Sequence, residues 1–125
     1  MKFNFDNNRP IYIQLVEQIR LLILSGYFKL GDRLPSVREF ALIAKVNPNT
    51  VQKALQELED EKLIYTDRTN GKYITDDKNL IKKLKLKIKN NFIFNYLGDM
   101  NKIGFNKEDA IKYLIEYEGD KKWVY

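Results

Sequence analysis

The sequence contains no cysteine and no histidine. Without cysteine there are no disulfides and no thiolate metal site, and a reducing, cytoplasmic compartment is expected. Without histidine, imidazole metal sites and His-based acid–base chemistry are excluded as well. No metal and no cofactor are therefore expected. Long apolar runs are missing too: the longest, Leu21-Leu22-Ile23-Leu24, is far too short to cross a membrane. The opening Met1-Lys2-Phe3-Asn4-Phe5-Asp6 lacks the apolar stretch of a signal peptide. What remains is an ordinary soluble composition, 44% hydrophobic and 31% charged over 125 residues. That suits one domain, or one small domain with an appendage. Such a chain can build a core but has little room for a large ligand cavity.

The net charge is +5, and its distribution matters more than its size. Residues 1–77 carry equal numbers of acidic and basic side chains, so the whole excess lies in 78–125. Bulk charge is thus poor evidence for a nucleic-acid partner, and individual positions must carry that argument.

Two helix starts stand close together. Ser36 and Glu39 have the S-x-x-E spacing of a capping box. Eleven residues after Ser36, Asn47 is a favoured N-cap, and Pro48 suits the first helical position. The gap fits one short helix and a tight turn, which makes a helix-turn-helix. Upstream, Pro10 opens a helix that runs to Ser25 and stops at Gly26, with Tyr12, Val16, Ile19 and Ile23 as its buried stripe. Gly31-Asp32 reads as a turn. The second helix is predicted over Val37–Ala44 and the third over Pro48–Glu61. Leu63–Thr66 and Lys72–Thr75 read as strands around Asn70-Gly71, a strong hairpin signal. Three helices and a hairpin give a winged helix-turn-helix, predicted over 1–77.

On the third helix, Val51, Ala54, Leu55 and Leu58 form the core stripe. Asn49, Gln52, Lys53 and Gln56 lie opposite. Amides both donate and accept, so they match base edges in the major groove. Thr50 offers a hydroxyl to a phosphate or a thymine edge, and the helix N-terminus offers amide donors to phosphate. The acidic far end (Glu57, Glu59, Asp60, Glu61) would repel phosphate, so only the first half is expected to lie deep in a groove. Arg38 can reach a phosphate or a base edge; its alternative is a salt bridge with Glu39 or Glu57. In the hairpin, Arg68, Asn70, Gly71 and Lys72 set two cations and a flexible tip where a minor groove or phosphate would lie. The alternative there is an ordinary solvated hairpin.

Residues 78–125 are predicted as a short helical tail. A long helix is expected over Asn79–Leu97, broken near Gly98 and Gly104, and a last helix starts at the cap Asn106 and ends before Gly119. The long helix carries two apolar stripes. Ile81, Leu84, Ile88, Phe92 and Tyr96 form one; Leu86, Ile93, Leu97 and Met100 form the other. Two faces imply two partners: the last helix, through Ile111, Leu114 and Ile115, and a second subunit. Both stripes packing within one chain is the alternative. The lysines Lys82, Lys83, Lys85, Lys87 and Lys89 are read as a solvated face that attracts DNA at long range, not as a membrane-binding face. The closing Trp123-Val124-Tyr125 reads as a docking segment.

Pro10-Ile11-Tyr12-x-Gln14, Gly31-Asp32-x-Leu34-Pro35-Ser36-Val37-Arg38-Glu39 and Val46-Asn47-Pro48-Asn49-Thr50-Val51-x-Lys53-Ala54 together resemble the GntR family of bacterial transcription regulators. The Asn-Pro-Asn-Thr-Val form and the short tail are most similar to its YtrA subfamily. The resemblance implies a homodimer on a palindromic operator, usually a repressor, often of transporter or cell-envelope stress operons. It also implies DNA contacts from Arg38, Asn47, Asn49, Thr50, Gln52 and Gly71. Two positions depart from the family pattern: Lys62 and Thr69 stand where glycine is usual.

The functional expectation is a dimeric, sequence-specific DNA-binding regulator contacting duplex DNA through Ser36, Arg38, Asn47, Asn49, Thr50, Gln52, Lys53, Arg68, Asn70, Gly71 and Lys72. A winged helix serving only as a protein-interaction module is the alternative, but such a module needs no amide face. An enzyme is not expected, because Glu57 and Asp60 have neither nucleophile nor metal beside them. A small-molecule effector is left open: the tail aromatics permit a small apolar pocket, but aromatics at helical spacing are more often core.

Overall fold

The computed structural model describes residues 1–118. In chain order they form α1 (Ile11–Leu24), α2 (Val37–Ala44), α3 (Pro48–Asp60), β1 (Ile64–Thr66), β2 (Lys72–Ile74), α4 (Lys78–Lys102) and α5 (Lys107–Glu116). The chain divides into two compact units, Met1–Lys83 and a second beginning at Leu84.

In the first unit, α1 starts directly after Pro10, whose missing N–H costs nothing there. It ends at Ser25, and Gly26 turns the chain away at φ 84°. Leu15, Val16, Ile19, Ile23 and Leu24 are buried, while Tyr12 is only half-buried. The buried polar residue Gln14 was not foreseen as structural. Its amide donates to the carbonyls of Asp6 (2.9 Å) and Arg9 (2.8 Å), and its oxygen accepts from the Asp6 N–H (2.9 Å). Gln18 clasps Asn4 in the same two-way fashion. Irregular backbone at 1–10 thus finds partners that it otherwise lacks. The segment also sets the Phe3 ring edge-on to Phe40 of α2, with centroids 6.3 Å apart.

The capping box of α2 is formed as expected. Ser36 Oγ accepts from the Glu39 N–H at 3.1 Å, and the Glu39 carboxylate accepts from the Ser36 N–H at 3.0 Å. That second bond holds the Glu39 carboxyl below the usual range. At the start of α3, Asn47 accepts from the Asn49 N–H at 2.8 Å, and Pro48 takes the first turn. Val51, Ala54, Leu55 and Leu58 are wholly buried, and α3 packs on both α1 and α2. Arg20 of α1 holds Glu61 at the end of α3 through two bonds, 3.0 and 2.6 Å.

Two lysines occupy the left-handed region that favours glycine. Lys45 ends α2 at φ 57°, and Lys62 follows α3 at φ 65°. Beyond Lys62 the Leu63 N–H reaches back to the Leu58 carbonyl at 3.1 Å, which closes a Schellman-type cap and buries Leu63.

The strands pair antiparallel with Ile64 opposite Ile74, Tyr65 opposite Tyr73 and Thr66 opposite Lys72. The hairpin tip differs from the two-residue Asn-Gly turn that the sequence suggests. The Asn70 N–H bonds to the Asp67 carbonyl and the Asp67 N–H to the Gly71 carbonyl, both at 3.0 Å. Asn70 alone takes a positive φ, 63°. This is a three-residue loop with a left-handed residue closing it. Thr69 therefore needs none of the freedom of the glycine usual there. Residues 31–34 line the other edge of β2: Leu34 N–H bonds to Lys72 O and Ile74 N–H to Asp32 O, each at 2.8 Å.

In the second unit, α4 does not stop at Leu97. It continues through Gly98 to Lys102, and Gly104 at φ 91° ends the turn instead. One interior glycine costs only about 1 kcal/mol, too little to break a long helix. Asn106 caps α5 as expected and, with Asp109, forms a full capping box. The expected burial of Ile111, Leu114 and Ile115 does not occur; all three are exposed. Ala110 is buried instead, and the Tyr96 hydroxyl donates to its carbonyl at 2.6 Å. A methyl side chain permits that close backbone approach, which a stripe of large residues does not. No residue of α4 is buried. Leu86 is 48% exposed, Ile93 47% and Phe92 60%, while Leu97 and Met100 are half-buried. Trp123-Val124-Tyr125 lies outside the described residues. Among those described, no helix is long and apolar enough to span a membrane.

Lys62→Gly relieves a left-handed residue at a cost in unfolded-chain entropy, so a net gain of about 0.5–1 kcal/mol is expected. Urea unfolding monitored by circular dichroism checks it; a loss of stability would show that Lys62 earns its place through a contact.

Candidate nucleic-acid interface

The buried stripe of α3 fixes the direction of everything opposite it. Asn49, Gln52 and Lys53 are exposed, and Thr50 is half-buried. The first half of the helix therefore presents amides outward, as a major-groove reader requires. Gln56 faces the same way but donates to Asp60 at 2.9 Å, so it is partly spent within the chain. The Lys53 ammonium sits 3.8 Å above the Tyr12 ring, a cation–π contact that moors it to α1.

The caps do double duty. Ser36 and Asn47 accept from helix amides, which holds both N-termini in shape. Among the described residues the Ser36 hydroxyl proton and the Asn47 amide protons have no acceptor, so both exposed side chains keep donors to spare. Arg38 is exposed on α2 and makes no ion pair with Glu39 or Glu57 among the described residues.

The acidic end of α3 is largely occupied by the fold. Glu59 accepts from the Thr66 hydroxyl at 2.6 Å and lies 3.8 Å from the Lys72 ammonium. Glu61 is held by Arg20. Asp60 accepts from Gln56. These partners soften the repulsion that bare carboxylates would exert on phosphate.

The wing divides its predicted residues. Arg68 and Asn70 are exposed. Lys72, expected as a free cation, is half-buried and engaged with Glu59 and with Thr66 Oγ1 at 2.9 Å. Gly71, expected at the exposed tip, is buried. What lies against it is Arg33, the variable position of the Gly-Asp-x-Leu run. Only a contact between residues 33 and 71 reveals this role, and no local pattern signals it. Beside them Tyr65 and Tyr73 stack, 5.7 Å between centroids.

Asp67 shapes the tip. Its carboxylate accepts from the Thr69 hydroxyl at 2.6 Å and the Thr69 N–H at 2.9 Å. Those bonds, the hydroxyl foremost, hold its carboxyl below the usual aspartate range.

Among the described residues no cluster of acidic side chains is arranged to hold a metal ion. The architecture is three helices followed by a hairpin, with an outward amide face at the start of the third helix. The family model for bacterial regulatory proteins of the gntR family matches residues 11–74. The chain belongs to the GntR family. The match spans all three helices and the wing. Similarity to full-length relatives extends through the tail. The chain is 38% identical over 117 residues to the HTH-type transcriptional repressor YtrA of Bacillus subtilis, covering 93% of this chain and 90% of that one. It is 33% identical over 112 residues to the uncharacterized HTH-type transcriptional regulator YhcF of the same organism, covering 90% and 93%. A GntR family transcriptional regulator from Listeria monocytogenes has a similar solved structure: TM-score 0.84, 43% identity, 91% of this chain and 100% of that one.

Because folding depresses the Asp67 pKa, its contribution to the wing is present above the ordinary aspartate range and is lost as pH falls through the lowered value. The protection of the Thr69 amide, measured relative to an unstructured chain at the same pH, should therefore fall on acidification while the α3 core stays protected. NMR across an acid titration tests this; uniform loss of protection would make the wing no weaker than the core.

Proposed function

We propose that this GntR-family chain is a sequence-specific, DNA-binding transcription regulator acting as a homodimer on a palindromic operator. The observation that carries the reading is the division of α3 into a wholly buried apolar stripe and an exposed Asn49–Gln52 face. With Arg38 beside it and Arg68 and Asn70 on the wing, that face has the shape and donor–acceptor chemistry of a groove reader. Asn49, Gln52 and Thr50 read base edges. Ser36, Asn47 and the helix N-termini hold phosphates, and Lys53 adds a moored positive charge.

The tail supports the dimer. Leu86, Ile93 and Phe92 leave much of their apolar surface in water within one chain, and a second copy removes it. A two-fold dimer presents two α3 helices, so the operator it fits is an inverted repeat with half-sites about 10 bp apart or a multiple of it. Repression as the sign of regulation follows the similarity to the YtrA repressor. The site needs no cofactor.

Selecting bound duplexes from a random-sequence pool tests the whole reading. An inverted repeat is the expected product; selected sequences without two-fold symmetry would remove the dimer-on-palindrome model. On the selected duplex, Arg38→Ala should weaken binding by about 1–3 kcal/mol if it reads a base, with thermal unfolding unchanged. Leu86→Asp combined with Ile93→Asp should give a monomer in the ultracentrifuge with poor operator affinity; a persistent dimer would put the interface elsewhere.

A further inference from the structure

Gly71 is not left-handed: among the described residues its φ lies outside the positive region that Gly26, Gly31 and Gly104 occupy. Conformation therefore does not demand glycine there; what glycine leaves is room beside a neighbouring side chain. A methyl group on Gly71 would stand 3.1 Å from Arg33 Nε, 3.3 Å from Arg33 Cζ and 3.2 Å from Tyr73 Cε2. The guanidinium lies against the glycine backbone, and Gly71 is buried beneath it while Arg33 itself is exposed.

Arg33 is also tied to the wing by its main chain. It bridges Tyr73 in antiparallel fashion, and its neighbours Asp32 and Leu34 bond to Ile74 and Lys72. The side chain therefore travels with the hairpin. No carboxylate among the described residues lies within ion-pair distance of it. The nearby Glu39 is committed to the Ser36 N–H. By contrast Lys72 is spent on Glu59 and Thr66.

We infer that Arg33, shelved on Gly71, is the phosphate-binding cation beside the tip of the wing, and that Gly71 serves DNA binding through Arg33 by leaving it room. The inference rests on the DNA-binding reading above. It adds a residue to that site and gives the glycine an indirect, positioning role. A planar guanidinium braced on one face keeps its edge donors for a phosphate oxygen pair, and bracing reduces the side-chain entropy lost on contact.

The test uses the full-length chain and fluorescein-labelled duplexes of random sequence, with affinity followed by anisotropy across a salt series. The unmodified protein should bind with a marked salt slope. Arg33→Ala should lose roughly tenfold in affinity at low salt and lower the slope by about one, as the loss of a single phosphate contact requires. Arg33→Lys should restore the slope while recovering only part of the affinity, because it keeps the charge but loses the fork. Gly71→Ala should weaken binding, and adding it to Arg33→Ala should cost nothing further, since the two act through one contact. Thermal melts of all variants accompany the titrations, and this non-additivity is the readout that general wing damage would not reproduce. An unchanged slope in Arg33→Ala, or additive losses in the double variant, would overturn the inference and leave the regulator reading standing. Salt-independent or absent binding by the unmodified protein would remove both.

Discussion

The burial of one stripe of α3 against α1 and α2 is the constraint from which the rest of the first unit follows. Four apolar residues at helical spacing lose all contact with water, and the opposite face has no choice but to look outward. The ion pair between Arg20 and Glu61 joins the far ends of α1 and α3 at the same contact, partly shielded from solvent. It fixes rotation about the helix axis more than it adds stability, since partly exposed pairs contribute little. The outward amide face of α3 is thus a by-product of core packing, held in direction by buried side chains.

Charge in this chain is managed residue by residue. Residues 1–77 have no net excess, yet their surface is far from uniform, because fold contacts consume some charges and spare others. Glu59, Asp60 and Glu61 are all occupied at the acidic end of α3, while Arg33, Arg38 and Arg68 have no ion-pair partner among the described residues. Lys53 and Lys72 look equivalent to these arginines in composition. Lys72 rests on a carboxylate, so its charge is partly spent, whereas Lys53 rests on an aromatic ring and keeps its charge. The potential seen by a ligand is set by what is left unpaired.

The tail obeys a different logic. Its long helix buries no residue, and its capped partner α5 touches it through Ala110 and Tyr96 instead of through its larger apolar side chains. The unit is locally well formed, with a full capping box, yet rich in exposed Leu, Ile and Phe. Local helix signals explain its order but not its apolar surface.

Helix starts, caps and the orientation of α3 were legible in the amino-acid order, because each depends on residues within a few positions: Ser36 with Glu39, Asn47 with Pro48, the repeat of Val51, Ala54, Leu55 and Leu58; the stop expected at Leu97 was not, since α4 runs on to Lys102. Family resemblance rested on those same short runs. Beyond that reach the sequence was silent or misleading. Gln14 clasping the N-terminal segment, Asp67 shaping the hairpin tip in place of an Asn-Gly turn, the choice of Ala110 over Ile111 as the buried residue, and Arg33 lying on Gly71 were settled in three dimensions. Each of these is decided by which distant groups come within hydrogen-bond or van der Waals range, and a linear pattern carries periodicity but not distance.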